Sequence, residues 1–283
     1  MVLDFIEILK VIFLGIVEGI TEWLPISSTG HMILVDEFIT LNMSEAFKEM
    51  FFVVIQLGAI LAVVVMFWKQ IFPFGKTDKP VSKNGLLSYV DKDIMILWFK
   101  ILVACVPAAI IGILFSDTFD ALFYNYQTVA ISLIVFGIAF IIIEEKHKGK
   151  QAKVNSLADL TYKLCIYIGI FQLIAAIFPG TSRSGATIVG ALLLGVSRTV
   201  AAEFTFFLAI PVMFGASLLK LVKFGFAFTS SELIILLVGM ITAFLVSIFV
   251  IKFLMSYIKK HDFKVFGYYR IILGILVLAY FIF

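Results

Sequence analysis

Two carboxylates lie four residues apart in an apolar, helix-forming stretch near the start of the chain. Glu18 and Glu22 share one helical face, because residues four apart are neighbours on a helix. Gly15 and Gly19 fall on the same face and would let another backbone approach closely. Inside a membrane such carboxylates are costly and usually functional. The pair is typical of a general acid or base, or of a shared cation site.

A proline and a hydroxyl-rich stretch follow directly after the carboxylates. Ser27 and Ser28 come after Pro25, and His31 stands three residues beyond Ser28. Serines at such a place are typical of a turn or a helix cap. Capping does not explain His31, whereas the other two histidines lie in lysine-rich loops and are interpreted as solvated. We therefore predict that Ser28 and His31 belong to a reactive site.

The second polar stretch, PGTSRSGAT at residues 179–187, has the composition of an anion site. Its two glycines free the backbone, its hydroxyls and amides converge at the start of a helix, and its arginine supplies a fork of N–H donors. Helix N-termini and arginine forks both favour phosphate oxygens. The residues predicted to hold a phosphate group are Ser27, Gly180, Thr181, Ser182, Arg183, Ser184, Gly185 and Thr187.

Membrane helices must position these residues. The chain has 283 residues, of which 62% are hydrophobic and 14% charged, whereas soluble domains are about 45–50% apolar and about 25% charged. A soluble fold of this composition would expose large apolar patches. The net charge of +3 is spread over short lysine-bearing loops, which argues against a nucleic-acid partner. We expect a single all-α integral membrane domain over residues 1–283.

Two of the apolar runs do not read as simple spans. The runs 5–24 and 164–178 end at a proline, pass through a hydroxyl-rich loop and resume as segments too short to cross. Irregular backbone at membrane depth is tolerated only where it is buried in protein or lines a cavity, so we predict two re-entrant helical hairpins. A spanning helix takes about 20 apolar residues. The predicted spans are 50–68, 94–115, 122–143, 204–222, 233–255 and 266–282.

The two polar stretches match each other at a constant offset of 154 residues. Pro25 and Ser28 recur as Pro179 and Ser182 without a gap, and Glu18 meets Gln172. The match predicts two internal repeats, each made of one re-entrant hairpin and three transmembrane helices.

These repeats, at about 1–145 and 155–283, must be inverted relative to each other, because each contains an odd number of spans. The lysine-rich loops 69–93, 144–163 and 256–265 then fall on one face, the cytoplasmic one by the positive-inside rule. Inverted repeats whose broken helices meet near the midplane are a transporter architecture.

Residues 18–31, EGITEWLPISSTGH, and residues 179–187 resemble the two signature motifs of the bacterial undecaprenyl-pyrophosphate phosphatase family, the bacitracin-resistance type. The likeness covers nearly the whole chain, including 104–109 and 266–270. The resemblance implies hydrolysis of undecaprenyl pyrophosphate to its monophosphate at a site open to the extracytoplasmic side of the bacterial cytoplasmic membrane. It also implies recycling of the lipid carrier for cell-wall synthesis and resistance to bacitracin. The functional positions that it implies are Glu18, Glu22, Ser28, His31 and Arg183.

The mechanism expected from these residues is phosphoryl transfer, in which catalysis is mostly positioning and charge stabilisation. Arg183 would hold the pyrophosphate, Ser28 or a water that it holds would attack, and Glu22 or His31 would take the proton. One arginine does not balance a pyrophosphate, so Glu18 is expected either to tune Glu22 or to share a Mg²⁺ or Ca²⁺ ion with it. Phosphoserine, phosphohistidine and direct water attack stay open at this point, as does a homodimer.

Two other functions fit the sequence less well. A polyprenyl-phosphate transporter or flippase is favoured by the inverted repeat, but transport needs no nucleophile beside a base. A lipid-binding scaffold leaves the carboxylates and His31 without a purpose. The expected partners are therefore a polyprenyl pyrophosphate and the bilayer.

Overall fold

A computed structural model describes residues 4–82 and 85–282, so that Lys83 of the first lysine-rich loop lies outside the described residues. Within these two ranges the chain is helical, with isolated β-bridges and no strand, which confirms the all-α prediction. The helices are α1 (Phe5–Thr21), α2 (Ser28–Phe38), α3 (Glu45–Val54), α4 (Gln56–Met66), α5 (Trp68–Ile71), α6 (Lys92–Phe123), α7 (Tyr126–His147), α8 (Tyr162–Ile177), α9 (Arg183–Leu193), α10 (Arg198–Phe224), α11 (Ser230–Tyr257) and α12 (Lys264–Ile282).

Six helical segments of the described chain are long and apolar enough to cross a membrane, as predicted. The first of them differs from its prediction, since it covers Glu45–Met66 and is broken at Ile55 between α3 and α4. It begins early because the Ser44 side chain caps α3 by accepting from the Phe47 amide at 3.2 Å. The first turn of α3 is charged, so a prediction based on apolar runs places the start of this span too late. The chain is therefore a multi-pass membrane protein.

The two polar stretches are the turns of two short hairpins, α1–α2 and α8–α9. Ser27 and Ser182 occupy these turns with φ angles of 76° and 69°, a left-handed conformation that is unfavourable for residues other than glycine. Each serine then caps the second helix of its hairpin, because its hydroxyl accepts from the amide of Gly30 or Gly185. The same strained device therefore starts both helices.

This geometry corrects the pairing of Ser28 with Ser182 at a constant offset of 154 residues. The structural counterpart of Ser182 is Ser27, which is the residue with the same φ and the same capping bond. The offset changes within the loop because the second turn has one more residue between its proline and its serine than the first.

Each hairpin packs against a long helix of the other half of the chain: α1 against α11, and α8 against α6. Glycine makes the approach of α1 to α11 close, as predicted. A Cβ at Gly15 would lie 2.7 Å from the Cβ of Thr242, and one at Gly19 would lie 2.8 Å from the Cβ of Val246. The two halves are thus interleaved, which brings the two polar turns together.

Replacing Gly169 on α8 with alanine should destabilise the protein by about 1–3 kcal/mol, the usual cost of overpacking. The added Cβ would collide with the carbonyl oxygen of Ala104 on α6, which belongs to the backbone and can move only with its helix. Thermal unfolding in detergent measures the effect. Gly112→Ala on α6 is the matched control, because a Cβ there meets nothing within 4 Å. Equal melting temperatures for the two variants would contradict the packing argument.

The lysine-rich linker between the halves lies at the end of the molecule where α7 ends and where α10 and α12 begin. Arg198 of α10 donates to Glu144 of α7 at 2.9 Å, and Lys264 of α12 pairs with Glu145 at 2.8 Å. The linker joins this end through the amide of Lys153, which donates to the Gly195 carbonyl.

Candidate active site

Glu22, the residue directly after the end of α1, joins the two hairpins. Its Oε1 accepts a hydrogen bond from Nη2 of Arg183 at 2.7 Å, and its Oε2 accepts from the hydroxyl of Ser28 at 2.7 Å. The glutamate is 7% exposed, so both contacts are shielded from bulk solvent. The structure therefore brings Glu22, Ser28 and Arg183 together, although Arg183 is 161 residues away along the chain.

Ser28 and Glu22 have the geometry of a nucleophile and its base. A serine hydroxyl becomes a useful nucleophile when an adjacent group can accept its proton over a normal hydrogen-bond distance. Ser28 is the first residue of α2, so the strained turn at Ser27 directly sets the direction of its side chain. The contact lies inside one hairpin and needs no partner from the other half.

Arg183 begins α9 and is held from several sides. Its Nη1 donates to the Thr205 carbonyl at 3.0 Å, and its Nη2 also lies 3.6 Å from the sulfur of Met213. Nε makes no hydrogen bond to the described residues. A guanidinium has five N–H donors, so donors remain for a ligand while α10 and Glu22 fix the plane of the group.

Glu18 lies one turn before Glu22 and is 1% exposed. Its Oε1 has no hydrogen-bond partner in the described chain, and the residue interacts electrostatically with both Glu22 and Arg183. An unpartnered buried carboxylate oxygen is unfavourable, so this atom suits a proton or a cation. The described residues contain no cluster of three or more His, Cys, Asp or Glu side chains that could hold a metal ion.

His31 lies one turn after Ser28 on α2, and its ring faces α12 rather than the carboxylates. Its Nδ1 lies 2.7 Å from the Ser27 carbonyl oxygen, and its Nε2 lies 2.6 Å from the hydroxyl of Tyr269. A carbonyl only accepts, so Nδ1 donates, and Nε2 of the neutral ring accepts from Tyr269. In the structure His31 makes no hydrogen bond to Glu22, Ser28 or Arg183.

Most of the other hydroxyls predicted to bind phosphate hold the second turn together. Ser184 donates to the Glu22 carbonyl at 3.3 Å, which is a further link between the hairpins. Thr187 is fully buried, donates to the Arg183 carbonyl at 3.0 Å and contacts the Thr205 hydroxyl at 2.9 Å. Ser184 and Thr187, which the sequence predicts to bind phosphate, therefore stabilise the second turn and its link to the first.

The backbone of the second turn and the Thr181 hydroxyl fit an anion better than the other hydroxyls of this turn do. Gly180 has a φ of 87°, and a Cβ there would lie 2.5 Å from the Val129 carbonyl oxygen. Thr181 is fully buried and its hydroxyl has no partner among the described residues. The amides of the first turn of α9 follow directly, and they form the helix N-terminus that attracts phosphate oxygens.

Sequence reasoning missed two residues of α12 that touch the polar turns, Tyr269 and Arg270. Arg270 is 0% exposed and donates to the carbonyl of Pro25 at 3.2 Å and to that of Thr181 at 2.7 Å. A signal was present, because a charged residue within the apolar run 266–282 marks a functional position in a membrane protein. Residues 266–270 belong to the family likeness and to a predicted span, but no role at the site is predicted for Tyr269 or Arg270.

A cavity of about 580 Å³ lies elsewhere, at the lysine-rich end. Lys150, Arg198 and Lys259 line it, and none of the residues of the Glu22 cluster does. The candidate active site is therefore identified by its hydrogen bonds and charges rather than by this cavity.

Comparison with known proteins identifies the family. The profile of the family described as "Bacitracin resistance protein BacA" matches residues 11–276, and so covers both hairpin turns. The chain belongs to this family. BacA-family membership agrees with the resemblance that the two polar stretches carry.

Relatives of this BacA-family chain match it along nearly its full length. A Desulfitobacterium hafniense protein named undecaprenyl-diphosphatase is 70% identical over 98% of this chain and 96% of its own length. An Enterococcus faecalis protein of the same name is 69% identical over 98% of each chain. The Clostridium acetobutylicum protein named undecaprenyl-diphosphatase 1 is 66% identical over 99% of each.

Proposed function

We propose that this chain is an undecaprenyl-diphosphatase, a hydrolase that removes the terminal phosphate of undecaprenyl diphosphate and leaves undecaprenyl phosphate. The observation that carries the proposal is the Glu22 carboxylate, which contacts a hydroxyl on one side and an arginine on the other. A transporter needs no such base between a nucleophile and an anion-binding group. The names of the full-length relatives agree with this reaction.

Binding of the diphosphate is assigned to Arg183 and the first turn of α9. The free donors of the guanidinium and the helix amides would bind phosphate oxygens, which helix N-termini and arginine forks both favour. Because Glu22 and Thr205 already orient Arg183, little reorganisation is needed when the substrate arrives. Preorganised donors of this kind stabilise the charge of the transition state.

The chemical step begins when Oε2 of Glu22 takes the proton of the Ser28 hydroxyl, or of a water held beside it. The oxygen attacks the terminal phosphorus, and the bond from that phosphorus to the bridging oxygen breaks, so that undecaprenyl phosphate leaves. With Ser28 as nucleophile, a water then cleaves the phosphoserine, inorganic phosphate is released and Ser28 regains its proton. His31 is disfavoured as the nucleophile, because Tyr269 hydrogen-bonds to its Nε2.

A divalent cation fits the carboxylate pair. Glu18 offers an unpartnered oxygen beside Glu22, and Mg²⁺ is commonly held by one or two carboxylates together with substrate phosphates. A site of that kind does not require a third protein ligand, in agreement with the absence of a three-residue cluster among the described side chains. The ion would neutralise charge on the diphosphate.

Chelation with EDTA should therefore reduce phosphate release by the purified protein by about 10²-fold or more, because several kcal/mol of charge stabilisation is lost. Phosphate release is measured at constant pH before and after the addition of excess Mg²⁺ or Ca²⁺, which should restore it. EDTA already saturated with Ca²⁺ serves as the control. Full activity after exhaustive chelation would rule out the cation at Glu18 and Glu22.

The repeats at about 1–145 and 155–283 are proposed to be inverted, with the two hairpins re-entrant. The pairing of α1 with α11 and of α8 with α6 is what an exchange between two equivalent halves produces. With the lysine-rich end in the cytoplasm, the hairpins would meet near the midplane. The site is proposed to open to the extracytoplasmic side of the cytoplasmic membrane.

The proposed function is tested by phosphate release from a polyprenyl diphosphate in detergent. We expect release that Glu22→Gln and Arg183→Ala lose. Absence of release from well-folded protein would instead support the alternative, a polyprenyl-phosphate flippase, which the interleaved halves also fit. Lipid movement in proteoliposomes is the direct assay for that alternative.

A further inference from the structure

Arg270 of α12 is a buried charge without a counter-ion. The side chain is 0% exposed, and all its hydrogen bonds within the described chain go to main-chain carbonyls. Its guanidinium lies over the ring of Phe136 at 5.8 Å. No carboxylate of the described chain pairs with it. A buried charge is normally paired, because desolvation is costly when only dipoles compensate it, so this exception calls for a functional reason.

The bonds of Arg270 reach both polar turns at once. Nη1 donates to the Pro25 carbonyl of the first turn at 3.2 Å, while Nη2 donates to the carbonyls of Gly180 and Thr181 in the second at 3.0 and 2.7 Å. A flat fork with fixed donors can make such a set, whereas a lysine ammonium cannot span it. Arg270 therefore sets the distance between the turn that carries Ser28 and the turn that carries Arg183.

The charge of Arg270 also lies beside the proposed phosphate site. A Cβ built on Gly185 would lie 2.9 Å from Nη1 of Arg270, so the guanidinium touches the first turn of α9 directly. Because Gly185 lies two residues after Arg183 at the N-terminus of this helix, the two guanidinium groups act on the same small region. Because Arg270 is buried, its charge is weakly screened and acts strongly on neighbouring groups.

We propose that Arg270 is a positioning residue of the hydrolase, which holds the two turns in register and supplies a second positive charge to the diphosphate site without touching the substrate. The proposal rests on the proposed function. The diphosphate provides the negative charge that Arg270 lacks within the chain, and the arginine therefore favours the bound state. Glu22 already compensates the charge of Arg183, whereas no carboxylate pairs with Arg270, so the charge of Arg270 remains available to the diphosphate.

Two substitutions separate the effect of the Arg270 charge from the effect of its hydrogen bonds to the two turns. Arg270→Lys keeps the charge but loses the fork, so kcat should fall about tenfold while KM stays within about twofold of wild type. Arg270→Gln loses the charge, so KM should in addition rise about ten- to thirtyfold. Protection by inorganic pyrophosphate against thermal unfolding in detergent gives the same comparison without turnover. Arg270→Gln should need about ten- to thirtyfold more pyrophosphate than Arg270→Lys for equal protection.

Two further variants make the test decisive. Gly185→Ala should displace the Arg270 guanidinium without removing its charge, and its kinetics should resemble those of Arg270→Lys. Arg198→Gln is the matched control, since this arginine is paired with Glu144 at the lysine-rich end and its loss should leave KM and pyrophosphate protection unchanged.

The proposal is overturned if folded Arg270→Gln and Arg270→Lys have the same KM and the same pyrophosphate protection. If neither Arg270 variant folds, Gly185→Ala decides: kinetics equal to wild type would also overturn it. A failure of the proposed function is seen separately, as no phosphate release by the wild type, and the pyrophosphate experiment still reports on Arg270 in that case.

Discussion

Arg183→Ala should lower phosphate release by about 10³-fold or more, the size of effect that an arginine at a transferring phosphoryl group usually has. The guanidinium is expected to hold the diphosphate, and it also fixes Glu22 through the 2.7 Å ion pair between the hairpins. Alanine removes both contributions. Phosphate release under single-turnover conditions, together with pyrophosphate protection, would separate the loss of binding from the loss of chemistry.

Stability has to be measured beside activity in this variant. Removal of Arg183 leaves the buried Glu22 beside Glu18 without its cation, with the Ser28 hydroxyl still donating to it, and breaking a buried ion pair can cost about 3–5 kcal/mol. Arg183→Lys is the conservative companion, because it keeps a charge near Glu22 while losing the fork, and it should recover stability more than activity. Near-normal turnover by folded Arg183→Ala would refute the assignment of the anion site.

Glu22→Gln should reduce phosphate release by about 10²–10⁴-fold, the range typical of a lost general base. Glutamine has nearly the same shape, but it cannot take a proton from Ser28. Its single oxygen also cannot accept from both Arg183 and Ser28 in the way the two carboxylate oxygens do. The measurement is kcat for phosphate release by folded protein, since substrate binding should change less than the chemical step.

Two glutamates provide the comparison for Glu22→Gln. Glu49→Gln is the matched control, because the Glu49 side chain is 71% exposed and pairs with Lys220 at 3.5 Å, and neither residue belongs to the hairpin turns; activity should be unchanged. Glu18→Gln should instead raise the Mg²⁺ or Ca²⁺ concentration needed for half-maximal activity. A Glu22→Gln enzyme with the wild-type kcat would remove Glu22 from the role of base.

Among the described residues, Arg183 and Glu22 form the only ion pair between the two turns, and Arg270 adds a charge that no carboxylate pairs with. The arrangement has a physical consequence for substrate binding. A diphosphate brings more negative charge than one arginine compensates. Two guanidinium groups against the Glu22 carboxylate leave the site with a positive balance when Glu18 carries a proton or the proposed cation. Such a site favours the diphosphate over a monophosphate product.

Local features of the sequence were sufficient for the class of the protein and the position of its hairpins. Apolar length predicts the spans, because a helix that satisfies its own backbone hydrogen bonds must present apolar side chains over the whole thickness of the bilayer. Pro25 and Pro179 mark the turns because a proline restricts the helix around it. These are effects of neighbouring residues, so they can be read without knowledge of the packing. The all-α architecture and the six spans followed from them.

A direct comparison of the repeats does not predict which residues of the two loops are structurally equivalent. An ungapped offset pairs Ser28 with Ser182, whereas the backbone pairs Ser27 with Ser182. The error arises because one extra residue in the second turn changes the offset, and residue identity alone does not report φ. The start of α3 was missed for a related reason, since a cap at Ser44 and not hydropathy decides it.

The partners of the charged groups were decided only by the tertiary structure. From the sequence, Glu18 and Glu22 are predicted to share a site without a named partner, and Glu22 and His31 are both candidates for the base that serves Ser28. Packing selects Glu22 for the arginine and turns His31 toward Tyr269. These contacts join residues more than 150 positions apart, and they exist because α1 packs on the other half of the chain at α11, and α8 on α6. The sequence determined which chemical groups the two turns contain; the interleaving of the two halves determined which of them meet, because hydrogen bonds and ion pairs depend on distances that local residue patterns do not set.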